Sequence, residues 1–239
     1  MPIKAVIFDL DGTLVNFNIE SQTIRAEVKS YLIRNGIPPS ILLTNESIFE
    51  MLKKVEIYLK NNNKPQRTFN NIRDKALEIA GKFELEAAKT TSLFPGTIET
   101  LQALRERKLK IGLCTINSQK STEYILKKFK IKNLFDAIIP RDKVKQVKPH
   151  PEHLTAALKA LNVTETEALI IGDGITDMNC ASDLNVIAVG LTTGTATKEQ
   201  LTEAGANYLI TSIADLPPLL GKIQKQTTTN QPNSKNTYQ

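Results

Sequence analysis

Apolar residues recur along this chain in two rhythms. The run Ile3 to Phe8 is short, contains Val and Ile, and stops at Asp9-Leu10-Asp11-Gly12-Thr13, which predicts a buried strand entering a glycine turn. From Asn18 to about Lys89 the spacing becomes helical: Ile24, Val28 and Leu32 form one stripe, Ile48, Leu52 and Val55 a second, and Ile72, Ala76, Ile79 and Phe83 a third. Asn35-Gly36 with Pro38-Pro39 separates the first two helices, and Asn61-Asn62-Asn63 with Pro65 the next two. After Phe94-Pro95-Gly96 short apolar runs alternate with helices. Helix 97–107 precedes strand 110–114, helix 119–129 precedes strand 136–139, and helix 151–161 precedes strand 168–171. Helix 176–184 precedes strand 186–189, and helix 198–204 a last short strand, 208–210.

Strands alternating with helices of this length require parallel crossovers and a sheet covered on both faces. The first strand must join that sheet, because a lone six-residue strand leaves its own edges unsatisfied. The fold class is therefore α/β: a parallel-sheet core from residues 1–16 and 92–221, with an all-helical domain, 17–91, inserted after the first strand. Ligands of open parallel sheets bind beyond the carboxyl ends of the strands, so an insertion leaving that edge is placed to act as a cap.

Charge sharpens this picture at one end only. The net charge is +6, and half of it comes from Lys222, Lys225 and Lys235 in the last eighteen residues. That segment, 222–239, has Ile223 and Tyr238 as its only large apolar groups and is expected to be a disordered basic tail. No apolar run approaches the twenty or so residues that span a bilayer, and no signal-peptide pattern opens the chain, so a cytoplasmic location and no membrane partner are expected. Cys114 and Cys180 lie in apolar surroundings and read as buried and reduced, and the glycosylation-like triplets at Asn45 and Asn162 carry no meaning without secretion.

The candidate chemistry sits where strands end. Asp9 and Asp11 follow the first, Thr115-Ile116-Asn117 the second, Lys148-Pro149 lies beyond the third, and Gly172-Asp173-Gly174-Ile175-Thr176-Asp177 closes the fourth. Each has an ordinary reading alone: Asp11-Gly12 as a turn, Thr115 as a helix cap, Lys148 as surface charge. Together, four carboxylates crowded into one crevice repel strongly unless a cation neutralises them. Oxygen-only ligands favour Mg²⁺ over Zn²⁺, and Mg²⁺ suggests a phosphorylated substrate. In such a site one carboxylate can attack phosphorus and another can move a proton, while a hydroxyl and a lysine hold the phosphoryl oxygens.

These segments carry a resemblance. FDLDGTL (8–14), IGLCT (111–115), KPHPE (148–152) and GDGITD (172–177) resemble, in order and on the right elements, the four motifs of the haloacid dehalogenase superfamily. The resemblance spans residues 3 to about 220, and the inserted helices are similar to the cap of its phosphoglycolate phosphatase and β-phosphoglucomutase branch. It implies a Rossmann-like three-layer core. It also implies that Asp9 is the nucleophile forming an aspartyl-phosphate, and that Asp11 is the acid for the leaving oxygen and then the base for water, its carbonyl also on the metal. Thr115 and Asn117 would bind the phosphoryl group, Lys148 would hold Asp9 and the phosphoryl oxygens, and Asp173 would ligate Mg²⁺. Asp177 would either ligate the metal or orient a ligand water. Gly12 and Gly174 would let backbone approach phosphate, although ordinary turn glycines suit the sequence equally.

The resemblance leaves alternatives. Asp11 argues against the dehalogenase branch, whose leaving halide needs no proton, whereas an oxygen ester does. A phosphosugar mutase would share the same core; Asn16-Phe17-Asn18 departs from the DS or DA pairing frequent in phosphoglycolate phosphatase relatives, and no mutase cap signature is evident. The expected partner is a small phosphorylated metabolite. Arg25, Arg67 and Arg73 are cap side chains able to read one, though solvated helix faces explain them too. His150 reads as a loop residue and His153 as a helix start without visible partner. A nucleic-acid-binding module is the remaining alternative, resting on Lys127, Lys128, Lys130, Lys132, Arg141, Lys143, Lys145 and Lys148; it lacks interleaved aromatics, and such runs are ordinarily solvated surface.

Overall fold

A computed structural model describes residues 2–16, 21–43, 45–194 and 196–229. The chain divides into two compact units, one of residues 1–16, 92–119 and 126–239, the other of 17–91 and 120–125. The first holds a six-stranded sheet built from β1 (Ala5–Phe8), β4 (Lys110–Thr115), β5 (Ala137–Pro140), β6 (Ala168–Gly172), β7 (Ile187–Leu191) and β8 (Tyr208–Ile210), in the order β5-β4-β1-β6-β7-β8. Every pairing in it is parallel. Parallel strands covered on both faces have no solvent side, and this is why β1 and β6 read as unbroken apolar runs, every residue of both being buried.

Alternation along β1 sends Ala5 and Ile7 to one face and Val6 and Phe8 to the other. On the first face they join Ile170 and Ala188 against Leu154, Leu158 and Leu161 of α6 (Pro151–Leu161) and Met178 and Ala181 of α7 (Ile175–Leu184). Across the sheet α4 (Thr97–Glu106) packs on β4 and on α9 (Leu216–Thr229), burying Leu101, Leu104, Leu216 and Leu220. The result is the expected three-layer α/β core.

β1 is the strand at which the order turns: β4 and β5 lie to one side, β6 to β8 to the other. A crevice opens at the carboxyl end of such a switch strand. Immediately after it the chain makes a tight turn into β2 (Val15–Asn16), which pairs antiparallel with β3 (Ser92–Leu93) in a two-residue ribbon where the inserted helices leave and return.

The helical unit contains α1 (Ser21–Arg34), α2 (Ile48–Asn61) and α3 (Gln66–Thr90). Ile24, Val28 and Leu32 pack with Met51, Leu52, Val55 and Leu59 and with Phe69, Ile72, Ala76 and Ala80. Ile79 and Phe83 flank this core instead of lying inside it, because the buried stripe of α3 runs through Ala76 and Ala80. Ser47 and Glu50 close a reciprocal capping box that starts α2. Residues 120–125, in the middle of α5 (Gln119–Lys128), group with these helices, so the unit is not a single stretch of chain.

One expectation is corrected. α9 continues through Thr229, so residues 222–229 are helical where a disordered tail was expected. Ile223 is buried and Leu216 and Leu220 precede it at helical spacing, which extends an apolar stripe into a segment whose own composition is too polar to show it. The remainder of the expected tail, 230–239, and the segment 17–20 lie outside the described residues. No helix among the described residues is long and apolar enough to cross a membrane.

Candidate active site

Asp9 follows β1 directly, and its backbone N–H donates to the Ile171 carbonyl of β6 at 2.9 Å, which continues the sheet ladder one residue beyond the strand and aims the side chain past the sheet edge. Thr115 is the last residue of β4, Asp173 follows β6, and Asp177 sits in the first turn of α7, where it accepts the Gly174 N–H at 3.2 Å and caps the helix. Lys148 comes from the loop between β5 and α6 and is 4% exposed. Its ammonium donates to Asp9 Oδ1 at 2.8 Å and to Asp177 Oδ1, so one buried cation joins two carboxylates.

Asp9, Asp173 and Asp177 each offer an oxygen within 4.8 Å of the others. Burial and the neighbouring Asp9 and Asp177 push the Asp173 carboxyl up to about 7. Burial lifts Asp177 as well, against the pull of Lys148. Burial works against the Lys148 charge, but Asp177 and Asp9 outweigh it and hold the ammonium protonated well above its ordinary range. A cluster in which carboxyls resist ionisation is one that a divalent cation would relieve. The donors are all carboxylate oxygens, which fits a hard ion such as Mg²⁺, while burial pushes the nearby Cys114 thiol far up and keeps it protonated.

The turn after Asp9 is fitted to this cluster. Gly12 has φ +74°, and a Cβ built on it would stand 2.3 Å from Asp173 Oδ2, so a side chain is excluded both by backbone conformation and by contact. Thr13 Oγ1 donates to Asp173 Oδ1 at 3.1 Å, and Thr193 Oγ1 to the Gly12 carbonyl at 2.5 Å. Gly194, in the loop after β7, leaves room for the same carboxylate: a Cβ there would lie 1.7 Å from Asp173 Oδ2.

Residues 6–191, more than half of the chain, match the sequence family described as haloacid dehalogenase-like hydrolase. This protein belongs to that family. Over 232 residues the hydrolase is 28% identical to Pyrophosphatase PpaX of Bacillus thuringiensis (strain Al Hakam), a match covering 94% of this chain and 100% of that one. Its fold is similar to that of a predicted phosphoglycolate phosphatase from Haemophilus somnus 129pt, with a TM-score of 0.62 at 22% identity over 91% of this chain and 97% of the other. A β-phosphoglucomutase from Clostridium difficile shares the fold at a TM-score of 0.66 and 22% identity, over 95% and 100% of the two chains.

In this hydrolase Asp9, Lys148, Asp173 and Asp177 meet in one cluster. Asp11 lies two residues on, half-buried in the turn and outside the three-carboxylate group. Thr115 is fully buried and its Oγ1 accepts the Asn117 N–H at 3.2 Å, which folds the loop beyond β4 back over the strand end. Asn117 is 4% exposed, and its Nδ2 has no hydrogen-bond partner among the described residues. Gly174 has φ −105°, a conformation open to any residue, so its backbone does not require glycine.

Sequence reasoning missed the bracing of the site. Thr13 stands inside the FDLDGTL run without an assigned role, and nothing in Thr192-Thr193-Gly194 signals its approach to Asp173. Arg141, read as solvated surface, is buried: its guanidinium donates to the Ile116 carbonyl at 3.2 Å and its N–H to the Asn117 carbonyl at 3.1 Å. Lys143, from the same basic stretch, donates to the Ile138 carbonyl at 2.9 Å. Among the cap arginines, Arg73 pairs with Asp74 at 2.8 Å and lies over the Phe69 ring, and Arg67 is exposed. The Arg25 Nε is buried without a hydrogen-bond partner among the described residues.

Proposed function

We propose that this hydrolase is a Mg²⁺-dependent phosphatase acting on a small phosphorylated metabolite in the cytoplasm through an aspartyl-phosphate. The observation that carries the reading is the buried Lys148 ammonium, which stands 2.8 Å from Asp9 within a cluster of three carboxylates. Lysine fixes the orientation of the Asp9 carboxylate without quenching it, since Asp9 keeps its second oxygen for attack. Asp9 forms a bond to phosphorus as the ester P–O bond breaks, and Asp11 gives its proton to the departing oxygen. Asp11 then takes a proton from water as that water attacks phosphorus, releasing inorganic phosphate and restoring Asp9.

Lys148, the Thr115 hydroxyl and the Asn117 amide hold the non-bridging oxygens as charge shifts between them, a role suited to the partnerless Asn117 Nδ2. Asp9, the Asp11 carbonyl and Asp173 would hold Mg²⁺, which when bound neutralises phosphoryl charge and opposes carboxylate repulsion. Asp177 works chiefly through Lys148 and the α7 N-terminus, because one of its oxygens accepts Lys148 and the other the Gly174 N–H. Free, buried Cys114 and Cys180 suit a reducing compartment.

A small phosphomonoester, phosphoglycolate-like or a sugar phosphate, is the substrate class we favour; the pyrophosphatase relatives add inorganic pyrophosphate as a second candidate. Purified protein with Mg²⁺ is expected to release phosphate from p-nitrophenyl phosphate or from members of a panel that includes phosphoglycolate, sugar phosphates and pyrophosphate. Asp9→Asn is expected to abolish release. Conversion of β-glucose 1-phosphate to glucose 6-phosphate without free phosphate would instead identify a mutase. Silence across the panel, with Asp9→Asn indistinguishable from wild type, would end the enzyme reading.

A further inference from the structure

His153 lies in the first turns of α6, fully buried, and both ring nitrogens are engaged. Nδ1 accepts the backbone N–H of Lys148 at 3.3 Å, and Nε2 faces the Ile139 carbonyl oxygen of β5 at 3.0 Å. These partners settle the proton. An amide N–H only donates, so Nδ1 must carry a lone pair; a carbonyl only accepts, so Nε2 must carry the hydrogen. The ring is therefore neutral. Burial, reinforced by the adjacent Lys148 charge, lowers its pKa to about 4, which keeps it neutral across the working range.

The location of this bridge gives it a consequence. The loop from Val147 to His150 delivers Lys148 to Asp9, and it is otherwise tied down around that residue. The His150 N–H donates to Val147, the Glu152 N–H to His150 Nδ1, and the Lys145 N–H to Glu152 Oε1. His153 takes the N–H of Lys148 itself and connects it to the end of β5, whose neighbour β4 carries Thr115. A change in the backbone of Lys148 moves an ammonium that has 2.8 Å to span to Asp9.

We propose that His153 is a positioning residue for phosphoryl transfer: as a neutral bridge between Lys148 N–H and Ile139 C=O, it sets the Lys148 ammonium against Asp9. The inference rests on the phosphatase reading of the site. It predicts that His153→Phe, which keeps a ring and removes both bonds, lowers kcat on p-nitrophenyl phosphate by roughly 10- to 100-fold with KM changed about twofold or less, since a misplacement near 1 Å costs on that scale. His153→Asn places an oxygen where Nδ1 was, regains the bond to Lys148, and is expected to recover most of the loss at a melting temperature no higher than that of His153→Phe.

¹⁵N spectra of the wild-type imidazole supply a readout independent of turnover and of variant folding. They are expected to show the Nε2–H tautomer and no protonation down to about pH 5. An Nδ1–H tautomer, a ring that titrates near its ordinary value, or a folded His153→Phe enzyme with wild-type kcat would each overturn the proposal while leaving the phosphatase reading intact. A wild type that hydrolyses no phosphate ester would instead overturn the phosphatase reading, and this role with it.

Discussion

Gly194→Ala is the sharpest perturbation this site offers, because it introduces one methyl group and nothing else. The glycine does not occupy the left-handed region, so alanine costs no backbone strain there. The added carbon, however, would lie 1.7 Å from Asp173 Oδ2, where real contacts begin near 3.0 Å. The carboxylate must retreat by about 1.3 Å, the difference between those distances, or the loop after β7 must shift by as much. Metal–oxygen contacts tolerate displacements of only about 0.2 Å. Retreat also breaks the Thr13 bond to Asp173, worth about 1.5–3 kcal/mol for a charged acceptor, and forces a rotamer change costing about 1 kcal/mol.

Relief of carboxylate crowding offsets part of that, so the net loss of stability should be about 1–3 kcal/mol. Mg²⁺ affinity should fall at least about 10-fold, the scale for disturbing a ligand's support. Isothermal titration with Mg²⁺, thermal melts and kcat at saturating metal measure the three effects. Gly221→Ala is the control: nothing lies within 4 Å of its added carbon, and a helix interior gains up to about 1 kcal/mol from the change. A Gly194→Ala protein with wild-type Mg²⁺ affinity and kcat would refute the claim that Asp173 keeps its place only while position 194 carries no side chain.

Other expectations follow from the same geometry. In metal-free protein Asp173 holds its proton up to about pH 7 against an ordinary value of 3.8, so the folded state binds more protons than the unfolded between those limits. Stability should therefore fall as pH rises from about 4 to 7, and Mg²⁺ should raise the melting temperature more at about pH 8 than at about pH 5, which paired melts will show. Lys148→Met leaves Asp9 and Asp177 buried without their cation and should cost about 3–5 kcal/mol by denaturant unfolding in the absence of metal, as well as activity. Asn117→Ala removes a buried amide that lacks a partner, so unfolding should show stability unchanged or raised by about 1 kcal/mol, while inhibition by inorganic phosphate weakens. Arg141→Met removes the guanidinium bond to the Ile116 carbonyl while keeping the backbone bond to Asn117, which loosens the loop beyond β4 and should raise KM for p-nitrophenyl phosphate at moderate cost in stability.

The strands were legible because a doubly covered parallel sheet forces apolar runs, and their ends were legible because glycine and aspartate interrupt those runs at Asp9, Asp173 and their neighbours. The four carboxylates placed at strand ends include the three that cluster, Asp9, Asp173 and Asp177, whereas Asp11 lies outside that group. Sequence reasoning could not tell that Asp177 pairs with Lys148, since that depends on the position of a loop 29 residues away. Arg141 was misjudged by residue type, and His153 was placed at its helix start without its partners. Arginine in a basic run is ordinarily exposed, and only the fold shows that Arg141 donates to the Ile116 carbonyl inside the protein and that both ring nitrogens of His153 meet backbone partners. Gly194 was invisible, because a glycine's reason lies in what approaches it, and Asp173 approaches from another strand.

The most direct test of the account is to find the phosphoryl group on the protein. Wild-type enzyme mixed with Mg²⁺ and p-nitrophenyl phosphate, quenched in acid within a single turnover and digested, should yield a peptide containing Asp9 that carries one added phosphoryl group, absent from Asp9→Asn. Mg²⁺-dependent phosphate release with that peptide unmodified, or with the label on another residue, would contradict the assignment of Asp9 as the nucleophile held by Lys148.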